Sequence, residues 1–348
     1  MNRILVAAIA AASPFFAAST VQAEAKSDFA LAWSIYVGWM PWGYADDSGI
    51  LDKWADKYGI SIDVERLDYI PSIEQFTSGA FDAVTATNMD ILAIPGFTNI
   101  DTTALIIGDY SNGNDAVLTR DGASLESLSG AEVNLVELSV SQYLLDRAMQ
   151  MKGLADAIPV NTSDADLAAL WAAGGTDAVV TWNPIVSELV DTGTATNVFD
   201  SAAIPGEIID MLNVHTDVLT DNPDFGKALV GAWYEVMALM AEDSAEGAAA
   251  REAMGIDSGT DLAGYEAQLA STEMFYDGVG AVALAEDEGL KATMEIVHEW
   301  LLKVTPEDLL PLEPVGVAFP DGTTIGAAEN VVLRFDSSFM KMYIEGML

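Results

Sequence analysis

The sequence predicts an α/β protein in which strands and helices alternate in two similar units. From Phe29 to Ile107 the segments alternate as β-α-β-α-β, which is typical of a parallel sheet with helices on both faces. A second series begins at Asp115 and runs to Val214. Two such units, joined by short connections, predict two lobes with a cleft between them.

Local signals define the elements of the first unit. Apolar spacing, Pro at a helix start and Gly at a helix end mark the helices, and alternating or short apolar runs mark the strands. The predicted strands are Phe29–Ser34, Ile60–Arg66, Phe81–Thr85 and Thr103–Ile107, and the predicted helices are Leu51–Tyr58 and Pro71–Phe76.

The second unit follows the same rules, and the chain then becomes mainly helical. Its predicted strands are Asp115–Thr119, Glu132–Val136, one ending at Val160, Ala178–Thr181, Thr196–Asp200 and Ile208–Val214; its helices are Ser124–Leu128, Ser141–Met151 and Asp164–Ala173. Beyond Pro223, apolar residues at three- and four-residue spacing predict helices: Phe225–Met240, Ala245–Met254, Leu262–Ala270 and Glu286–Lys303, before a last strand and helix in Val331–Ile344.

An aromatic stretch, Ala30–Asp47, follows the first strand. Tyr36, Trp39, Trp42 and Tyr44 occur within nine residues that Gly and Pro interrupt, which predicts a loop rather than a strand. We expect this loop to form one wall of a small-ligand site, with Tyr44 the weakest candidate. The alternative is a satellite hydrophobic cluster under a loop.

The N-terminus has the features of a secretory signal. Arg3 precedes an apolar run, and Val21-Gln22-Ala23 is a small-residue cleavage site, so we expect residues 1–23 to be a signal peptide cleaved after Ala23. The mature protein is then expected to be soluble and periplasmic. The sequence has no cysteine, which excludes disulfides, thiolate metal sites and cysteine nucleophiles.

The charge is strongly negative: 54 acidic residues against 14 basic give a net charge of −40. Nucleic acid is excluded as a partner because phosphate binding needs basic patches. Anionic membrane surfaces are disfavoured for the same reason. Two explanations of the acidity stay open: solvation in a salty habitat, and a preference for cationic ligands.

No catalytic or metal-binding pattern is present. The two histidines, His215 and His298, lie far apart without Cys or His at ligand spacing, and no Gly-rich phosphate motif occurs. We therefore predict a binding protein rather than an enzyme, with no catalytic residues, no metal and no cofactor.

Polar and aromatic residues at the strand ends are the candidate ligand-binding residues, because open α/β sheets bind ligands at the carboxyl ends of their strands. For Ser139 and Ser141, helix capping is an alternative role that is compatible with binding, and Trp182 could instead be part of the core. The candidates are Tyr36, Trp39, Trp42, Asn88, Asp90, Asp109, Glu137, Ser139, Ser141, Trp182, Asn183 and Glu207.

Five ordered motifs resemble a known family. They are GILDKWADKYGISIDVERLDY, SGAFDAVTATNMDIL, DYSNGNDAVLTRDGASLESLSGAEVNLVELSVSQYLL, DAVVTWNP and FDSAAIPGEIIDMLNV, and TEMFYDG continues the match. The chain resembles the periplasmic substrate-binding proteins of ABC importers in the nitrate/sulfonate/taurine group. Within that group it is most similar to the binding proteins encoded with urea carboxylase, which are described as urea transporters.

This resemblance implies a type II periplasmic binding fold with two crossovers, near Gly113–Ala116 and Asn213–Asp217. Lobe 1 would comprise residues 28–113 and 218–348, and lobe 2 residues 114–217. The partners would be a small-molecule ligand and ABC permease subunits in the inner membrane, and we expect a monomer. A sensor subunit that presents ligand to a receptor kinase, and an enzyme of the related pyrimidine-synthase type, are alternatives.

The residues near the predicted cleft favour a cationic or neutral nitrogen compound. Carboxylates with aromatic faces suit a small planar or quaternary cation, so a guanidinium-type ligand fits slightly better than urea. Backbone amides at helix starts could still hold an anion, which keeps sulfonate, taurine or nitrate as alternatives.

Overall fold

The computed structural model describes residues 26–348, so the predicted signal peptide lies outside the described residues. The strands are β1 Asp28–Trp33, β2 Ser61–Arg66, β3 Ala83–Thr87, β4 Thr102–Ser111, β5 Ala116–Arg120, β6 Glu132–Leu135, β7 Ile158–Asn161, β8 Ala178–Thr181, β9 Ala195–Asp200, β10 Ile209–His215, β11 Thr272–Met274, β12 Gly316–Ala318, β13 Thr324–Gly326 and β14 Val331–Phe335.

The helices are α1 Met40–Asp47, α2 Ile50–Tyr58, α3 Tyr69–Thr77, α4 Asn88–Ala93, α5 Val140–Lys152, α6 Asp164–Ala172, α7 Ile185–Asp191, α8 Thr216–Asp221, α9 Pro223–Ala241, α10 Ala245–Asp257, α11 Leu262–Leu269, α12 Val279–Ala285, α13 Glu288–Val304 and α14 Ser338–Ile344. Among the described residues, none of these helices combines the length and apolar character needed to cross a membrane.

The first sheet has nine strands in the order β13-β12-β14-β4-β10-β3-β1-β2, and β11 pairs with β4. Strands β2, β1 and β3 are parallel, as the βα alternation predicts. Strand β10 is antiparallel to both of its neighbours, β3 and β4. The sheet is therefore mixed rather than purely parallel, because β10 enters it from the second sheet in the opposite direction.

The second sheet has five strands in the order β7-β6-β8-β5-β9. Strands β7, β6 and β8 are parallel, while β5 is antiparallel to β8 and β9. The chain leaves the first sheet after Ser111, enters the second at Ala116 and returns between Asp200 and Ile209.

The position of β10 corrects the predicted boundary of the second lobe. Residues 114–217 were assigned to that lobe with a crossover near Asn213–Asp217, but Asn213 lies inside β10 and hydrogen-bonds within the first sheet. Sequence order placed this buried strand with the unit that precedes it. Strand pairing places it with β3 and β4, where its apolar side chains are buried on both faces.

The predicted aromatic loop is largely helical. Pro41 occupies the first turn of α1, where its fixed φ and missing N–H are tolerated. Gly43 lies against Trp33, and a Cβ atom at this glycine would lie 2.6 Å from the Trp33 ring. The Pro and Gly that indicated a loop therefore serve a helix start and a close helix–strand contact.

Helices that follow β10 complete the core of the first sheet. Phe225 at the start of α9 stacks on Phe29 of β1, with ring centroids 4.3 Å apart. Trp42 of α1 stacks on Trp233 of α9 at 5.1 Å. These contacts hold β1 and α1 in place, and so fix the direction in which the residues between them point.

Candidate ligand-binding site

A small buried cavity lies between elements of the two sheets. The volume open to the centre of a water molecule is about 10 Å³, so the cavity has room for about one buried water. Each lining residue is at most 4% exposed. The lining residues are Tyr36, Trp39, Tyr69, Thr87 and Asp210, which belong to or flank elements of the first sheet, together with Asp115, Val140 and Trp182.

Four aromatic rings form one side of this cavity. Tyr36 and Trp39 have ring centroids 5.0 Å apart, Trp39 and Tyr69 5.5 Å, and Tyr69 and Trp182 5.4 Å. Trp182 follows β8 of the second sheet, and its indole N–H donates to the carbonyl of Ile35, at 3.2 Å. The aromatic side therefore spans both sheets and is continuous.

Four buried aspartates, which we call the aspartate cluster, lie on or beside the cavity: Asp90, Asp109, Asp115 and Asp210. Within residues 26–348, no Lys, Arg or His forms an ion pair with any of them. A buried charge without a partner is costly. In their ionised form these carboxyl groups would therefore concentrate negative charge that no described side chain neutralises.

Asp90 is held at the N-terminus of α4. Its Oδ2 accepts hydrogen bonds from the Tyr69 hydroxyl at 2.6 Å and the Thr87 hydroxyl at 2.7 Å. The backbone N–H of Val140, which belongs to the second sheet's side of the cavity, donates to the same oxygen at 3.4 Å. Its other oxygen, Oδ1, has no partner among the described residues.

Asp109 and Asp210 face each other across paired strands. They are opposite residues in the antiparallel register of β4 and β10. The Tyr36 hydroxyl donates to Asp109 Oδ1 at 2.8 Å. Asp109 Oδ2 lies against Gly38, and a Cβ at that glycine would be 2.4 Å from this oxygen. Only glycine fits at position 38 without displacing the carboxylate.

Burial raises the pKa of every member of the cluster, because a buried carboxylate loses hydration. The pKa of Asp90 rises to about 6, against the opposing effect of its hydrogen bonds from Tyr69 and Thr87. Burial raises the pKa of Asp109 to about 7 and that of Asp115 to about 7. The pKa of Asp210 is also raised, by burial and then by the charge of Asp109.

Several buried polar atoms around the cavity lack a partner in the described structure. They include donors as well as acceptors: Trp39 Nε1, Ser141 Oγ, Asp90 Oδ1, Asp109 Oδ2 and Asp210 Oδ2. An unsatisfied buried polar group costs about 1–3 kcal/mol. Their concentration at one cavity makes it the candidate site for a bound water or a polar ligand.

Some predicted site residues lie away from the cavity. Trp42 is packed against Trp233 in the core, because α1 turns its ring away from the residues that precede the helix. Glu137 is exposed. Asn88 and Asn183 are buried, but their side chains hold backbone and loop segments: Asn88 binds the N–H of Ile209 and the carbonyl of Glu207.

Asn183 is similarly engaged, since its Oδ1 accepts from the backbone and the hydroxyl of Ser187 at 3.0 and 2.6 Å. Ser139 caps α5, accepting from the N–H of Ser141 at 3.2 Å and donating to the Val136 carbonyl. Ser141 keeps a free, buried hydroxyl beside the cavity residue Val140. Of these two serines, only Ser141 has an unengaged polar atom.

Glu207 is neutralised by its own partners. Arg147 donates to its two oxygens at 2.8 and 2.7 Å, and the Tyr143 hydroxyl donates at 2.5 Å. The side chains of Arg147 and Glu207 keep only 19% and 16% of their surface exposed. We call these three residues the Glu207 network. It lies outside the cavity and has no free charge to offer a ligand.

The sequence reasoning missed five cavity residues: Tyr69, Thr87, Asp115, Val140 and Asp210. A signal existed for Asp210, which is a charged residue inside the apolar run Ile208–Val214. Asp115 likewise directly precedes a buried strand. No group of three or more His, Cys, Asp or Glu within residues 26–348 is arranged to hold a metal ion.

Comparison with known proteins identifies the fold. No protein-family model and no curated protein matches the chain. Among solved structures, the alkanesulfonate-binding protein SsuA of Xanthomonas axonopodis pv. citri, bound to MOPS, aligns with a TM-score of 0.63 and 18% identity, covering 83% of this chain and 98% of its own. The periplasmic nitrate-binding protein NrtA of Synechocystis PCC 6803 aligns at 0.57 and 13% identity, covering 93% and 99%.

A third similar structure is the Candida albicans CA3427 gene product, described as having the generic periplasmic binding protein fold. It aligns at a TM-score of 0.63 and 12% identity, covering 81% of this chain and 92% of its own. At these identities the comparison concerns architecture. The chain has the type II periplasmic binding protein fold that its sequence predicts.

Proposed function

We propose that this protein is the exported solute-binding component of an ABC importer, and that it captures a small cationic nitrogen compound of the guanidinium type. The observation that supports this most directly is the aspartate cluster, which is buried against four aromatic rings and forms no ion pair with a cationic side chain of residues 26–348. Residues on the cavity side of both sheets would then form the ligand site. Because the cavity has room for about one water, the two sides must separate further to admit a guanidinium ion with its four heavy atoms. The ABC permease would be the partner that receives the ligand.

The charge of the cavity favours a cation over the sulfonate or nitrate named for similar structures. An anion would lie next to Asp115 and Asp210, both of which line the cavity, and either carboxyl group would repel it strongly in its ionised form, because water is excluded there. Arg147 cannot offset this repulsion, because its Nε and Nη2 groups already donate to Glu207.

The aromatic walls favour a cation over neutral urea. A cation over a Tyr or Trp face gains about 0.5–2 kcal/mol per contact, depending on its desolvation, and hydrogen bonds to carboxylates add to this. Two or three such contacts with one carboxylate reach roughly −8 kcal/mol, which corresponds to micromolar affinity. Urea could use the same carboxylates as acceptors but would gain less from the rings, so it is the second candidate.

Cleft closure is the proposed mechanism of capture. The Trp182 indole already reaches Ile35, and Val140 N–H reaches Asp90, so residues of the second sheet contact the first on both sides of the cavity. A ligand that binds both sets of residues favours the closed arrangement over an open one. The closed form would be the one that the permease recognises.

A binding panel tests the proposal. Calorimetry and thermal-shift measurements on the mature protein, at low ionic strength, would compare guanidinium, urea, tetramethylammonium, taurine and nitrate. We expect guanidinium to bind most tightly, urea more weakly, and the two anions not at all. Binding of taurine or nitrate alone would refute the ligand assignment and leave the fold untouched, whereas turnover of any compound would indicate an enzyme.

A further inference from the structure

The two carboxyl groups of Asp109 and Asp210 form a pair that needs a proton. They are directly opposite each other on β4 and β10, and the Cβ atoms of directly opposite residues in an antiparallel pair lie about 4.5–5.5 Å apart. Each retains an Oδ2 atom without a partner among the described residues. Two ionised carboxylates repel at such a separation, and a proton shared between them relieves the repulsion.

The groups that face this pair do not supply a positive charge. From the neighbouring elements they are phenols and one further carboxyl group: Tyr36, Tyr265, Tyr276 and Asp115. Arg251 is a cation whose charge acts on Tyr276, but it is hydrogen-bonded to Glu266 and to the Met240 carbonyl. In the described chain, only a proton or a bound cation can neutralise the pair.

Burial favours the protonated form of the pair near neutral pH. The loss of hydration raises the pKa of Asp109 to about 7 and also raises the pKa of Asp210, where the Asp109 charge adds to the effect of burial. The Tyr36 hydrogen bond lowers the pKa of Asp109 and only partly offsets burial. These shifts favour at least one bound proton on the pair over the pH range in which most exposed carboxylates are ionised.

We propose that a proton and the ligand cation compete for the Asp109–Asp210 pair, so that capture of the cation releases a proton from the protein. This inference rests on the proposed function, since it requires that the ligand is a cation. It adds a regulation that the fold alone does not imply: a rise in pH increases affinity, and a fall in pH promotes release.

Linkage fixes the size of the effect. When one proton must leave before one cation binds, the apparent affinity changes by up to about tenfold per pH unit below the pKa of the pair, and levels off above it. A guanidinium ion keeps its own charge throughout this range. Any change in its affinity between about pH 5.5 and 7.5 therefore comes from the protein.

Calorimetry with guanidinium chloride tests the proposal on the full mature chain. Titrations at about pH 6.5 in buffers of low and high ionisation enthalpy, such as phosphate and Tris-type amines, give the number of protons exchanged. We expect release of about 0.5–1 proton per guanidinium bound and a rise in affinity of at least about tenfold from pH 5.5 to 7.5. Guanidinium binding without proton release would overturn this inference while leaving the proposed function intact, and absence of any cation binding would overturn both.

Two variants assign the proton to the pair. In Asp210→Asn we expect weak residual binding without proton release, whereas Asp90→Asn, which alters the cluster at a different hydrogen-bonded carboxylate, should still release a proton. If Asp90→Asn abolishes the release, the pair is not its source. Because a substitution could impair folding, infrared difference spectra of the wild type provide a second readout: addition of guanidinium should remove the C=O stretch of a protonated carboxyl group, and an unchanged band would contradict the proposal.

Discussion

The aspartate cluster and the Glu207 network are two buried groups of charged residues that differ in one respect. In the Glu207 network, one carboxylate meets a guanidinium with two hydrogen bonds and a phenol with a third. In the aspartate cluster, four carboxyl groups share aromatic and hydroxyl neighbours and form no ion pair within the part of the chain that the structure describes. In the Glu207 network the chain itself supplies the guanidinium group that pairs with the carboxylate. The aspartate cluster has carboxyl and phenol groups like those of the network, but no described side chain supplies a guanidinium group. This contrast suggests what the second site binds.

The largest expected effect separates the two groups by ligand affinity. Asp210→Asn should weaken guanidinium binding by about 100-fold, because it removes a charge-assisted interaction worth about 1.5–3 kcal/mol. Glu207→Gln, whose side chain is already paired outside the cavity, should change affinity by less than about threefold. Calorimetry on both variants makes the comparison, and equal losses would show that the Glu207 network belongs to the site.

The same pair of variants should affect stability in opposite directions. Glu207→Gln leaves Arg147 without its partner, and since both side chains are partly exposed we expect a loss of about 2 kcal/mol, below the 3–5 kcal/mol of fully buried pairs. Asp210→Asn in the absence of ligand removes an unpaired buried carboxyl group and should gain about 1 kcal/mol at pH 8. Thermal unfolding, without guanidinium or urea, measures both changes. A loss of stability in Asp210→Asn would mean that the cluster is neutralised by something other than a ligand.

A pH titration of stability sharpens the contrast without any substitution. The pKa of Asp109 is raised to about 7 by burial, so between about pH 4 and 7 the folded protein binds more protons than the unfolded chain, and its stability falls as pH rises through this window. The fall should exceed about 1.4 kcal/mol, the value of one pKa unit on one group. Unfolding free energies at pH 5 and 8 test this, and saturating guanidinium should reduce the difference.

The smallest effect concerns the aromatic wall. Trp182→Ala removes a ring from the cavity and the hydrogen bond to Ile35, and should weaken ligand binding at least about tenfold, or 1.4 kcal/mol. Trp182→Phe retains a ring and should recover part of the affinity. Trp171→Phe is the matched control, because Trp171 is buried in a separate core of the second sheet. Unchanged affinity in Trp182→Ala would show that the ligand does not contact this wall.

Most helices and strands follow from periodicity, because burial on one face leaves a clear mark in the sequence. The cavity was only partly predictable, for a reason that lies in strand direction. The rule that ligands bind at carboxyl ends of strands led to Tyr36, Trp39, Asp109 and Trp182. The rule did not lead to Asp210, because β10 is antiparallel to β3 and β4. The amino end of β10 therefore lies beside the carboxyl ends of these two strands, and Asp210 is the second residue of β10.

Trp42 shows the opposite difference, because it is a predicted site residue that lies away from the cavity. Four aromatics close together suggested one wall, but helix α1 begins at Met40 and its rotation sends Trp42 toward Trp233 while Trp39 stays at the cavity. Spacing along the chain does not show where an extended segment becomes a helix, because Pro and Gly are compatible with a loop and with a helix start. The lobe boundary failed similarly, since pairing across 100 residues of chain is not visible in local sequence.

The enclosure of the cavity has a kinetic consequence. All of its lining residues are buried, and they come from both sheets, so no ligand can enter while Trp182 remains bonded to Ile35. The association rate of a small ion would then be limited by how often these residues separate rather than by diffusion. Rapid-mixing experiments should show an observed rate that levels off as ligand concentration increases, and that plateau would give the frequency of opening.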